Sequence, residues 1–133
     1  MELDSKQKVL VAIYTEYQKD IPNMNAVTPQ VLGIEEVAFN VAVSKLQNEG
    51  YLQGAHLITV DQFAHPVKVV MSRAKMTRDG LDYVETKLEI DKTMSNSDKV
   101  RAVATKAGAW GVDQLKDLAS KTLSDMLSKM AGF

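Results

Sequence analysis

The chain has 133 residues with 16 basic and 17 acidic side chains, a formal charge of −1, and 45 % apolar content. A domain of that size buries roughly two thirds of its unfolded surface, so it needs neither metal nor disulfide to fold. The absence of cysteine excludes thiol catalysis and thiolate zinc sites, and the near-neutral charge removes any global argument for nucleic-acid binding.

The opening MELDSKQKVL has no basic lead into an apolar run and does not read as a signal peptide. No apolar stretch approaches the ~20 residues of a membrane span, so a cytoplasmic protein is expected. After the N-cap candidates Asp4 and Ser5, the residues Val9, Leu10, Ile13, Tyr14 and Tyr17 form one apolar stripe on a helix ending near Asp20. Pro22 stops it, and Thr28-Pro29 opens a short helix that Gly33 interrupts. A second amphipathic helix begins at Glu35 and Glu36. Its buried face is Phe39, Ala42, Val43 and Leu46, and Gly50 closes it as a left-handed cap.

The period then changes. Residues 51–60 and 67–71 are rich in β-formers, and the stretch from Asp61 to Pro66 reads as their hairpin loop. Thr77 caps a further helix with the stripe Leu81, Val84 and Leu88. Gly80 within it costs ~1 kcal/mol relative to alanine, which points to a close backbone approach. The polar segment 89–97 reads as a boundary, dividing a domain over 1–92 from an amphipathic helical extension over 97–133. The fold class is mainly α with a small β-hairpin: a winged helix-turn-helix plus a C-terminal helical extension.

The run Phe39-x-x-Ala42-Val43-x-x-Leu46-x-x-Glu49-Gly50-Tyr51-Leu52 resembles the YjcQ-like family of small winged-helix proteins from bacteria and their prophages. Met76-Thr77-x-x-Gly80-x-x-Tyr83-Val84 is similar to that family's last winged-helix segment, so the resemblance covers about residues 5 to 90. It implies a fold and a genomic setting and brings no activity with it. The motif residues are core positions.

A winged helix that binds duplex DNA lays its second motif helix in the major groove. Here that helix offers Asn40, Ser44 and Gln47 to base edges and Val41 to a thymine methyl, while Lys45, Lys68, Arg73, Lys75 and Arg78 supply phosphate contacts. The charge opposes this use. From Glu35 to Glu49 there are three glutamates and one lysine, and residues 1–93 carry ten basic and thirteen acidic side chains. On the fold and the resemblance a prophage-type DNA-binding regulator is still the first expectation, and a winged helix that binds another protein is the alternative.

Catalysis and cofactors are not expected. His56 and His65 flank the wing with Asp61 nearby, but metal sites need three or four ligands. Asp79, Asp82 and Glu85 read as a solvated helix face, and no nucleophile elbow or phosphate loop is present. Residues 97–133 carry six basic and four acidic side chains. A continuous helix of ~35 residues would run ~50 Å, too long for one small domain to cover. Its apolar stripe, Leu115, Leu118, Leu123, Met126 and Met130, suggests a homodimer. Packing on the same chain, or on a membrane surface through Trp110, are the alternatives.

Overall fold

The computed structural model of the chain describes residues 5–106. Helix α1 (Ser5–Tyr17) is followed by a 3₁₀ turn (Met24–Ala26), the short helix α2 (Pro29–Leu32) and helix α3 (Glu36–Asn48). Strands β1 (Leu52–Gln53), β2 (His56–Ile58), β3 (Lys68–Val70) and β4 (Lys75–Met76) form the wing, and α4 (Arg78–Lys87) and α5 (Asn96–Lys106) complete the order. This is a mainly helical, winged-helix-like fold with a small antiparallel hairpin. Among the described residues, no helix is long and apolar enough to cross a membrane.

Helix α1 is buried on every side rather than along one stripe: residues 9–16 are all buried. The physical reason is its place at the centre, where α3, α4, β4 and α5 all pack against it. Glu16 is accommodated there by accepting from the Asn23 backbone N–H at 3.0 Å and by Lys19 at 3.2 Å.

The wing is a single hairpin with both arms broken. Leu52 pairs with Met76 and Gln53 with Lys75, and the ladder resumes with His56 opposite Val70 and Ile58 opposite Lys68. Gly54 causes the break. It has φ +85°, and a Cβ there would fall on the Arg73 carbonyl oxygen. The sequence suggested one continuous strand in the first arm and no strand at 75–76.

Thr77 joins the wing to α4. Its Oγ1 accepts from the Gly80 N–H at 2.9 Å and donates to the Gly50 carbonyl at 2.6 Å. The close approach expected at Gly80 is present, because a Cβ there would meet the Tyr51 carbonyl oxygen. Beside it the rings of Tyr51 and Tyr83 stack at 4.6 Å.

Glu85 corrects the expectation of a solvated acidic face, since it is 4 % exposed. It accepts from the Tyr14 hydroxyl at 2.8 Å and pairs with Lys99 at 2.8 Å and Lys92 at 3.4 Å. Burial pushes its pKa up. The hydrogen bonds from Lys99 and Tyr14, the charge of Lys99 and the hydrogen bond from Lys92 together outweigh that and hold it below the usual carboxylate range. The pair with Lys99 ties α5 to the domain across segment 89–97, where Ile90 is buried, and Val100 and Val103 of α5 are fully buried. The remaining extension, with Leu115, Leu118, Leu123, Met126 and Met130, lies outside the described residues.

Candidate functional site

Helix α3 is the element a winged helix presents to a ligand, and its ends follow from sequence. At the C-terminus the Tyr51 N–H bonds the Leu46 carbonyl at 2.9 Å and the Gly50 N–H bonds the Gln47 carbonyl at 3.1 Å. With Gly50 at φ +85°, this is the paired closure that a left-handed glycine permits. At the N-terminus Glu35 occupies the cap position without a side-chain capping bond. Its carboxylate and that of Glu36 are exposed at the positive end of the helix dipole.

The structure distributes the sequence-predicted base-reading residues differently from the periodicity. Asn40 is 3 % exposed, and its Nδ2 donates to the Pro66 carbonyl at 3.3 Å. Gln47 is half-buried, and its Oε1 accepts the Ala55 N–H at 2.8 Å. Both amides hold the wing against α3. Asn40 is therefore corrected from an outward residue to a buried one: the wing loop folds over that edge of α3, a contact invisible to helical spacing. Ser44 is half-buried and Lys45 exposed.

The phosphate-contact candidates all lie on the surface. Lys68 is on β3, Lys75 on β4, Arg73 in the segment between those strands, and Arg78 at the first turn of α4. None of the four forms an ion pair with another described residue.

Beside the exposed Glu35, Glu36 and Lys45, α3 carries two outward valines: Val41, expected there from the helical spacing, and Val37, which was not. Val37 is 55 % exposed, and Val41, one turn later, is half-buried. They line an open groove of about 490 Å³ together with residues of the α1 N-terminus and the wing loop. Ser5 and Lys6 lie on one side, His65 on another, and Glu35 and Lys45 are placed along α3 itself. The signal was present in the sequence: two β-branched residues four apart, off the buried series of an amphipathic helix. The wing loop around His65 also exposes the apolar Val60, Phe63 and Val67.

Among the described residues, no three or more histidine, aspartate or glutamate side chains cluster in a way that could hold a metal. His65 belongs to the groove, and His56 is exposed on β2. The buried pair of Tyr14 and Glu85 lies inside the fold, between α1 and α4, and belongs to its packing.

No curated protein and no solved structure gives a significant match to the chain. A family described as YjcQ protein matches residues 7–103, from the first turn of α1 to the buried Val103 of α5. That match spans most of the chain and all of its described core, and the chain belongs to the YjcQ family.

Proposed function

We propose that this protein is a winged-helix interaction module that docks another protein through the outer face of α3 and the adjoining wing loop. One observation carries the reading: the amides of Asn40 and Gln47 are engaged within the fold, which leaves the outer face of α3 to Val37 and Val41, with Glu35 and Glu36 at its N-terminal end and Ser44 and Lys45 beyond the valines. Base edges are read by polar side chains free to reach them, and phosphates repel carboxylates at the helix end that would approach them. An exposed apolar strip on a helix beside a groove suits the helix-in-groove mode of protein recognition. The role is binding rather than catalysis.

A second reading, a DNA-binding regulator, is favoured by the exposed and unpaired Lys68, Arg73, Lys75 and Arg78. Titration of mixed-sequence duplex DNA at low salt separates the two. The interaction module gives no binding at micromolar protein. Binding that weakens steeply with salt, and weakens again when the four cations become glutamine, overturns it in favour of the regulator.

A further inference from the structure

The part of the groove lining that α3 supplies has an ordered arrangement of chemistry along its length. Glu35 stands at the N-terminal end, Val37 and Val41 in the middle, and Lys45 toward the C-terminal end. The Glu35 side chain makes no capping bond, and Lys45 forms no ion pair with a described residue. Lys6, the other cation at the groove, is held by Glu49 at 2.9 Å. The strip is thus acidic, apolar and basic in sequence, and it is complementary to itself when reversed.

We propose that the outer face of α3 is the contact between two copies of this chain, packed antiparallel about a two-fold axis near Val41. This rests on the interaction-module reading and names the partner. Ten residues of helix separate Glu35 from Lys45, about 15 Å, so a central axis brings each Glu35 to Lys45 of the second copy. The valines meet between the two charge pairs, and the antiparallel helices set opposite dipole ends together. Two-fold symmetry requires such a self-complementary patch. One helix face falls short of the ~1,000 Å² a specific interface needs. The wing loop adjoins this surface through His65, and Phe63, two residues before it, is 60 % exposed and available to enlarge the contact.

The test uses the full chain in light scattering or sedimentation over a concentration series. The unaltered protein dimerises. Glu35→Lys and Lys45→Glu each weaken dimerisation at least tenfold, because each reversal places two like-charge pairs across the axis. An equimolar mixture of the two variants, and the double variant, recover the dimer. Should either charge variant fail to fold, Val37→Asp, at an exposed position, also abolishes the dimer. A monomer at all concentrations overturns the proposal. So does a dimer indifferent to these changes, which places the contact elsewhere, or a loss that mixing does not repair. The same samples titrated with duplex DNA keep the two ideas apart. A monomer that ignores DNA removes this partner and leaves the interaction module standing, whereas DNA binding lost with Lys45 overturns the module itself.

Discussion

The Tyr14 hydroxyl donates to the Glu85 carboxylate at 2.8 Å across 71 residues of sequence, joining the central helix α1 to α4 inside the domain. Lys99 of α5 completes the junction at 2.8 Å. Three helices therefore meet at one buried carboxylate. Removing it strands both a hydroxyl and an ammonium. Glu85→Ala is expected to cost about 3–5 kcal/mol, as for breaking a buried pair. Tyr14→Phe removes one hydrogen bond to a charged group and costs about 1.5–3 kcal/mol. Denaturant unfolding measures both, and equal losses in the two variants would contradict the junction.

The same pair sets a pH dependence with two limbs. The Glu85 pKa is lowered on folding, so its contribution is present above the unfolded carboxylate value of about 4.3 and is lost as pH falls through the folded value. The Tyr14 pKa is raised by burial and by the Glu85 hydrogen bond and charge. Its contribution is therefore complete below the ordinary tyrosine value of about 10 and declines as pH rises above it. Urea midpoints against pH should fall at both ends. Glu85→Gln flattens the acid limb, and an unchanged limb would place the acid sensitivity elsewhere.

Gly80→Ala reverses the sign that helix propensity assigns. Propensity alone gives a gain of about 1 kcal/mol. The added methyl meets the Tyr51 carbonyl oxygen, which is already bonded to the Thr77 N–H at 3.2 Å and cannot retreat freely. A net loss of about 1–3 kcal/mol is expected from overpacking. A higher denaturation midpoint in the variant would show that the wing yields at this point.

Asn40→Ala tests where that amide acts. It should destabilise by about 1 kcal/mol through the lost bond to Pro66. Faster hydrogen exchange is expected at the adjacent Val67 amide, which bonds the Ile58 carbonyl at 2.8 Å. Val37→Asp, on the exposed face, should leave the stability of the single protomer within about 0.5 kcal/mol of the parent's. Exchange at Val67 unaffected by the Asn40 change would detach the side chain from the wing.

Much of this architecture was readable in advance where the cause is local. Thr28-Pro29, Gly33, Gly50 and Thr77 act on their own neighbours through caps and left-handed turns, and the structure places them in those roles. Gly80 was recognised as a contact point because an isolated glycine in a helix needs a reason, although Tyr51 as the reason lay 29 positions away. The candidate site was read less well. Helical spacing placed Asn40 outward, and the loop that covers it arrives from residue 66.

The composition and charge arithmetic, the winged-helix order and the family were all determined by sequence, because they depend on periodicity and on neighbouring residues. Only the tertiary structure decided that α1 is enclosed on all sides, that Glu85 is a buried junction, and that Val37 and Val41 line one groove with Glu35 and Lys45. Each of those depends on which distant segments meet. Burial and charge pairing are set by chain closure, and no local pattern encodes the partner that a side chain finds there.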